Sequence, residues 1–132
     1  MNHPGVEQWN KIIKSGDHKE LADLLHDDVV FYSPVVFTPQ RGKKITMSYL
    51  MAAGQSLAND FVYVKKIVTD KYAVYEFECT VDGKYINGID MVSFDEDYKI
   101  TEFKVMIRPL QAVNAIHQSM MAMLEKMKNQ KA

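Results

Sequence analysis

The 132-residue sequence predicts an α+β fold with the element order ααβαββββα, in which an antiparallel sheet packs against helices. Apolar residues recur at three- and four-residue spacing in the segments before position 58 and after position 108. Between positions 61 and 108 the spacing changes to every second residue, which is typical of strands. No repeat or polar linker divides the chain, so residues 1–132 are interpreted as a single domain.

Three helices and a short strand are predicted in the N-terminal half. Their bounds are residues 4–14 (helix), 17–26 (helix), 29–33 (strand) and about 43–57 (helix). Pro4 suits the first position of a helix, and Gly16 suits its end. Asp17 is followed three residues later by Glu20, the spacing of a capping box at a helix start. Pro34 ends the strand because it lacks a backbone donor.

The C-terminal half predicts four strands and one helix. Their bounds are residues 61–69, 72–81, 84–94 and 99–108 for the strands, and about 109–128 for the helix. Asp82-Gly83 is a strong signal for a two-residue hairpin turn. The apolar stripe of the last helix is predicted to comprise Leu110, Val113, His117, Met120, Leu124 and Met127.

The strand at residues 84–94 is apolar on both faces. Ile89 and Met91 point to one side, while Asp90, Val92 and Phe94 point to the other. An antiparallel strand of this kind is expected to be covered on both sides. Helices can cover one face, and a second subunit is the natural cover for the other, so the sequence predicts a homodimer.

Composition excludes several function classes. Sixteen Lys and Arg against seventeen Asp and Glu leave a net charge of −1, which gives no basic surface for nucleic acid. No apolar stretch approaches the length that spans a membrane, and no signal segment is apparent, so a cytoplasmic protein is expected. Cys79, the single cysteine, excludes an internal disulfide.

No cofactor or metal is predicted. The sequence lacks a Gly-rich phosphate loop, a nucleophile elbow and a Cys-His pair. None of the four histidines has metal-ligand spacing with a supporting carboxylate. His3 and His18 are interpreted as surface residues, and His26 as a cation at the end of the second helix. His117 is interpreted as a packed core or interface residue.

Three features resemble the nuclear transport factor 2-like superfamily and, within it, the SnoaL-like proteins, relatives of polyketide cyclases and ketosteroid isomerases. They are the element order, Gly42 before a helix, and the segments Asn87-Gly88-Ile89-Asp90 and Phe94-Asp95-Glu96-Asp97-Tyr98-Lys99-Ile100. The resemblance runs from Trp9 to about Ala115. It implies a cone, the cystatin-like roll, whose curved sheet wraps around the N-terminal helices and encloses an apolar cavity. Tyr98 stands where such sequences commonly have glycine, so this turn is expected to be built differently or to carry mild strain.

The resemblance to the isomerases places three functional positions in this sequence. Ser33 stands where they have a general-base aspartate, and Trp9 where they have a tyrosine oxyanion donor. Asp90 stands where they have a neutral aspartate that donates a hydrogen bond. Serine is no base without an activating neighbour, and an indole N–H is a different donor from a phenol. Two of three positions differ, so ketosteroid isomerase activity is disfavoured.

Asp90 is the candidate catalytic residue. Burial between apolar neighbours is expected to raise its pKa and make it an acid or base near neutral pH. Its alternative role is structural, as an acid satisfied by Trp9 or a tyrosine inside the cone.

The sequence favours a pocket that binds a small apolar or aromatic molecule. The predicted lining, with Asp90, is Trp9, Ile13, Phe31, Ser33, Tyr49, Phe77, Val92, Phe94, Phe103 and Val105. Two alternatives stay open: an isomerase-, cyclase- or hydratase-type enzyme that uses Asp90 as its acid-base group, and a structural homodimer whose cavity is collapsed by aromatic side chains.

Overall fold

The computed structural model of the chain describes residues 2–57 and 59–130. The helices are α1 (Pro4–Ser15), α2 (His18–Leu24), α3 (Lys43–Ser56) and α4 (Leu110–Gln130). The strands are β1 (Leu25–Tyr32), β2 (Gln40–Arg41), β3 (Val62–Val68), β4 (Tyr72–Val81), β5 (Lys84–Phe94) and β6 (Ile100–Arg108). The α+β class and the predicted succession of helices and strands are confirmed.

The strands form one six-stranded sheet in the order β2-β1-β6-β5-β4-β3. Neighbouring strands are antiparallel, except that β1 runs parallel to β6. β4 and β5 pair along their whole lengths, from Tyr72 opposite Ser93 to Val81 opposite Lys84. This long pairing fixes which side chains of β4 and β5 share a face, and therefore which of them can meet inside the fold.

Two strand predictions were incomplete. β1 begins at Leu25 rather than Val29, because Leu25 already pairs with Ile100 of β6, far away in the sequence. Local spacing had placed Leu25 in the second helix, and a pairing with a distant strand overrides such spacing. β2 was not predicted, since two residues are too few to produce a periodic pattern.

The predicted hairpin is confirmed. Asp82 and Gly83 have φ values of 51° and 75°, and they connect the paired residues Val81 and Lys84. Positive φ at both central residues is the geometry of a type I′ turn. Tyr98 also has a positive φ of 60°, as the absence of the usual glycine suggested, and its hydroxyl donates to Oδ1 of Asp70 at 2.9 Å.

The helices pack on one face of the sheet, called the inner face here. Buried residues of α1 contact the core formed by Tyr75, Val92 and Phe94, and buried residues of α4 contact a second cluster around Phe77 and Ile86. The opposite, outer face carries the alternate residues of the same strands. The sheet therefore has an inner face packed on helices and an outer face of partly exposed side chains.

The stripe predicted for α4 was partly wrong. Met120 is buried, and Leu124 and Met127 pack on the same cluster, but Leu110 is 75% exposed and His117 is also exposed. The buried residues in the first half of the helix are Ala112, Ala115 and Ile116. Apolar residues occur on several sides of this helix, so their spacing is compatible with more than one stripe. Ala112 and Ala115 belong to the buried cluster that also contains Phe77 and Ile86 of the sheet.

Two histidine interpretations were wrong. His3 is buried, with 3% of its surface exposed: its Nδ1 accepts from the backbone N–H of Val6, and its Nε2 lies 2.9 Å from the carbonyl of Asp70. It is the N-cap of α1 rather than a surface residue. His26 lies within β1, beyond the end of α2, and its Nδ1 accepts from the N–H of Asp28.

Candidate functional site

A cavity of about 370 Å³ lies between α1, α3, α4 and the inner face of the sheet. Ligand pockets in proteins generally measure about 300 to 1,000 Å³, so this space suits a small organic molecule. Its lining residues are Trp9, Ile13, Phe31, Ser33, Pro34, Leu50, Ala53, Gly54, Leu57, Phe61, Tyr63, Phe77, Asp90, Phe103, Val105, Ile107, Ile116 and Met120. An interior of this size does not fit the alternative of a cavity filled by aromatic side chains.

The structure brings together eight of the eleven residues predicted around the cavity. They are Trp9, Ile13, Phe31, Ser33, Phe77, Asp90, Phe103 and Val105. The other three belong to the packed core. Tyr49 stacks on Phe31 with ring centroids 5.1 Å apart, and Val92 and Phe94 are buried in the cluster under α1. These three residues are inward-facing, but they support the wall and are not part of its surface.

Asp90 is the only carboxyl group among the described lining residues, and the same set includes no His, Lys or Cys. It lies in the middle of β5, with Tyr75 and Val105 opposite it on the two neighbouring strands. Only 8% of its surface is exposed. Burial raises the pKa of Asp90 from 3.8 to about 7, and a hydrogen bond from Tyr63 offsets part of that increase.

Tyr63 connects Asp90 to α1. Its hydroxyl donates to Oδ2 of Asp90 at 3.2 Å, and the indole Nε1 of Trp9 donates to the Tyr63 oxygen at 3.3 Å. Burial, together with the nearby charge of Asp90, raises the pKa of Tyr63 far above its usual value, so this phenol stays protonated. Of the two partners expected for Asp90 in a structural role, Trp9 or a tyrosine, it is a tyrosine that donates to it, and Trp9 reaches Asp90 only through Tyr63.

Sequence reasoning did not select Tyr63. Its neighbour Phe61 also lines the cavity, and the alternation of Phe61 and Tyr63 at the start of β3 is the signal that could have identified both. The remaining residues that were not predicted come mainly from α3 and α4. Their position depends on how each helix is rotated against the sheet, which the sequence did not determine.

Tyr75 is a second buried phenol beside the site. Its ring centroid is 5.0 Å from that of Tyr63, and none of its surface is exposed. Its hydroxyl has no hydrogen-bond partner within residues 2–57 and 59–130. Burial, with a smaller contribution from the charge of Asp90, raises the pKa of Tyr75 to about 12. Ionising Asp90 thus disfavours charge on both tyrosines next to it.

Gly88 leaves room for the ring of Phe77 at one end of the cavity. The two residues are paired across β4 and β5, and a Cβ atom at position 88 would lie 2.6 Å from the Phe77 ring. It would also lie 2.7 Å from the backbone carbonyl of Met106 on β6. Any side chain at position 88 would therefore collide with both neighbouring strands.

Ser33 has no base to activate it. Its Oγ accepts from the backbone N–H of Val35 at 3.1 Å, which is a local turn contact. No histidine or lysine belongs to the lining among the residues that the structure describes. Nor does any group of three or more His, Cys, Asp or Glu side chains there have an arrangement that could hold a metal ion. The polar chemistry of the cavity is concentrated at Asp90 and Tyr63.

A family model described as the SnoaL-like domain matches residues 6–103. The chain belongs to the SnoaL-like family. No curated protein matches this sequence. No helix in the described ranges is long and apolar enough to cross a membrane.

Solved structures with the same fold agree with this SnoaL-like assignment. A steroid delta-isomerase from Pseudomonas aeruginosa is 28% identical, with a TM-score of 0.90 over 97% of this chain and 99% of that one. An uncharacterised cystatin-like-fold protein from Silicibacter pomeroyi is also 28% identical, with a TM-score of 0.84 over 91% and 84% of the two chains. A putative SnoaL-like polyketide cyclase from Shewanella denitrificans is 18% identical, with a TM-score of 0.61 over 92% and 95%, and supports the fold alone.

Proposed function

We propose that this SnoaL-like protein binds a small, mainly apolar or aromatic molecule in its cavity and that Asp90 is the polar anchor. The observation that carries the proposal is that Asp90 is buried and is the one carboxyl group among the described lining residues, on a wall that is otherwise mainly apolar. Pockets of this kind gain affinity from apolar contact and orient their ligand with a few polar groups. A ligand with one carbonyl or hydroxyl oxygen matches this arrangement.

The ionisation of Asp90 determines which oxygen the site prefers. With a pKa of about 7, the carboxyl group is neutral in mildly acidic solution and can donate a hydrogen bond to a ketone. Above that pH it is a carboxylate, which only accepts and therefore suits a hydroxyl group. For two ligands with the same skeleton, the affinity should therefore change with pH in opposite directions when one has a ketone and the other a hydroxyl group.

Three naphthalene probes test the proposal: naphthalene, 2-acetylnaphthalene and 2-naphthol, titrated from pH 5 to pH 9. Naphthalene should bind independently of pH. 2-Acetylnaphthalene should bind about fivefold more tightly at pH 5 than at pH 9, since one hydrogen bond contributes about 1 kcal/mol. 2-Naphthol should bind more tightly as the pH rises and Asp90 becomes a carboxylate, as long as the pH stays below the pKa of the naphthol hydroxyl. The measurement is the quenching of probe or Trp9 fluorescence.

Asp90→Asn should remove the pH dependence while leaving naphthalene binding intact. Glu102→Gln, which neutralises a carboxylate on the outer face, is the matched control and should behave like the wild type. If no probe binds, or if the ketone titrates equally in Asp90→Asn, Asp90 is not the anchor.

A second candidate function is proton transfer by Asp90 at a carbon next to the carbonyl group of the ligand. It is favoured by the near-neutral pKa, because such a carboxylate can take a proton and return it. The described lining offers no other acid-base side chain of comparable pKa, so Asp90 would perform both steps. The similarity to a steroid delta-isomerase supports this chemistry, whereas Ser33 at the base position disfavours the ordinary isomerase route.

Deuterium exchange separates catalysis from binding. In D₂O, an enzyme that works through Asp90 should accelerate exchange of the methyl protons of 2-acetylnaphthalene, and Asp90→Asn should abolish the acceleration. A binding protein should leave the exchange rate unchanged although the ketone binds. Proton NMR of the acetyl signal measures both outcomes.

We also infer that the protein forms a homodimer through the outer face of the sheet, the side that carries Ile89, Met91 and Met106. Met106 is 48% exposed there and Ile67, on the same face, 61%. Charges of both signs surround these apolar residues in equal number: Lys65, Lys104 and Arg108, and Glu76, Glu78 and Glu102. A surface with both signs can pair with a second copy of itself, so a two-fold dimer is the occupant that suits this face.

A further inference from the structure

The hydrogen bonds that join Trp9, Tyr63 and Asp90 run in one direction. An indole Nε1 can only donate, so the oxygen of Tyr63 must accept from Trp9. The Tyr63 hydroxyl has one hydrogen of its own, and Oδ2 of Asp90, 3.2 Å away, is its acceptor. A tyrosine or serine at position 9 could donate or accept, and the direction would then be undetermined. Tryptophan removes that freedom.

This direction distinguishes the two oxygens of Asp90. Oδ2 receives the Tyr63 hydrogen, whereas Oδ1 makes no hydrogen bond to any residue within the described ranges. If the proton of neutral Asp90 were on Oδ2, the Tyr63 hydroxyl would lose its acceptor inside the fold, and a buried donor without an acceptor is unfavourable. The proton therefore belongs on Oδ1, the oxygen left for a molecule in the cavity.

We propose that Trp9 is a positioning residue that acts through Tyr63 to keep Oδ1 of Asp90 as the atom that meets the ligand. The proposal rests on the proposed function, since it assumes a ligand in the cavity, and it adds what selects that ligand. A ketone is bound through an O–H on Oδ1, and an alcohol or phenol through the same atom once it is ionised. The ligand class is therefore an apolar molecule with one polar oxygen directed at β5.

Trp9 also has a packing role, which the experiment has to separate from the role proposed here. Its ring lies against Phe103 with centroids 5.2 Å apart, and only 5% of the residue is exposed. Trp9→Phe keeps an aromatic ring but removes the N–H. Trp9 is the only tryptophan of the chain, so replacing tryptophan throughout by 3-benzothienylalanine exchanges this one N–H for sulfur in a ring of nearly the same shape.

The first measurement needs no ligand: the pKa of Asp90, followed by carboxyl-carbon NMR. A Tyr63 oxygen that no longer accepts from Trp9 is a weaker donor and is free to accept from Asp90, and both effects favour the neutral acid. Trp9→Phe should raise the pKa of Asp90 by about 0.5, and the benzothienyl protein should do the same. Ile13→Val, a change at another lining residue of α1, should leave it unaltered.

Tyr63→Phe tests whether the effect of Trp9 on Asp90 passes through the Tyr63 hydroxyl. In that background Trp9→Phe should have no further effect on the pKa of Asp90, because the intermediate hydroxyl is gone. An equal shift with and without the Tyr63 hydroxyl would overturn the proposal, and so would an unchanged pKa in the benzothienyl protein. The second result holds even if Trp9→Phe fails to fold.

Probe binding then tests the selectivity. At pH 5, the benzothienyl protein, whose ring keeps nearly the same shape, should bind 2-acetylnaphthalene about threefold more weakly than the wild type and naphthalene equally well. Equal losses for both probes would show that Trp9 acts by packing alone and would contradict the proposal. If no probe binds the wild-type protein, the proposed function fails, while the NMR titration still decides whether Trp9 controls Asp90.

Discussion

The two faces of β5 have similar hydropathy and very different surroundings. On the inner face, Asp90 and Val92 are 8% and 1% exposed and contact helices, aromatic rings and the cavity. On the outer face, Ile89 and Met91 alternate with them along the same strand but are only partly buried. The comparison teaches that alternation identifies the two faces of a strand, whereas the packing of other elements decides which face becomes the core.

The two faces also differ in how they accommodate charged side chains. The outer face carries ion pairs that solvent can reach, such as the one between Lys65 and Glu76, whose nitrogen and oxygen atoms are 3.7 Å apart. Around the cavity, Asp90 is the one carboxyl group of the described lining, which contains no Lys, Arg or His, and burial raises its pKa. A carboxyl group is thus screened by solvent and ions on the outer face, whereas burial on the inner face keeps Asp90 neutral up to about pH 7.

The largest effect should come from placing a charge on each face. Val92→Lys buries an ammonium group without a partner, which costs about 3 to 5 kcal/mol and is expected to abolish the fold or nearly so. Ile67→Lys, on the outer face at a position that is 61% exposed, should change the free energy of unfolding of the monomer by less than about 0.5 kcal/mol. Urea unfolding measures both. Similar losses in the two variants would mean that both faces are core.

The next effect is the pH dependence of stability due to Asp90. Its pKa is 3.8 when unfolded and about 7 in the fold, so the folded state binds the proton more tightly. The stability that this proton provides is complete below about pH 4 and is lost as the pH rises to about 7, a change on the order of 2 to 4 kcal/mol. Subtracting the Asp90→Asn curve from that of the wild type isolates the contribution. A flat difference would indicate a solvated Asp90.

The smallest effect concerns association. Ile89→Lys should weaken a dimer built on the outer face about tenfold, since it places a charge in an apolar contact, and should leave the unfolding of the monomer almost unchanged. Light scattering across a micromolar concentration series detects the change. His18→Lys adds the same charge at an exposed position on α2 and is the matched control. A wild-type protein that is monomeric at those concentrations would remove the proposed interface.

Much of the fold could be predicted because its decisive signals are local. The type I′ turn at Asp82-Gly83 sets the pairing of β4 and β5, and these two strands were predicted with their observed bounds. The same holds for the cap at Asp17, whose Oδ1 accepts from the N–H groups of Lys19 and Glu20. What could not be predicted depends on distant partners: the start of β1 on Ile100, and the buried state of His3 on Asp70.

The residues of the candidate site also divide into those that local sequence signals predict and those that depend on distant contacts. Alternation along β5 and β6 identified Asp90, Phe103 and Val105 as inward-facing residues, and the structure places all three on the cavity wall. Alternation alone could not separate the wall from the core behind it, which is why Val92 was included. The alternation of Phe61 and Tyr63 could have placed both on the wall, but the role of Tyr63 depends on its distance to Asp90, which follows from the pairing of β3 with β4.

Gly88 limits how the interior can be remodelled. A smaller residue in place of Phe77 would lengthen the cavity at that end, because the ring itself forms part of the wall. It would not make position 88 available to a side chain, since the carbonyl of Met106 belongs to the backbone and stays 2.7 Å from any Cβ there. Changes in ligand size, by evolution or by design, can thus proceed through residue 77 but not through residue 88. The absence of a side chain at position 88 therefore keeps the adjacent strands close together, and this part of the cavity wall stays fixed while the size of residue 77 can change.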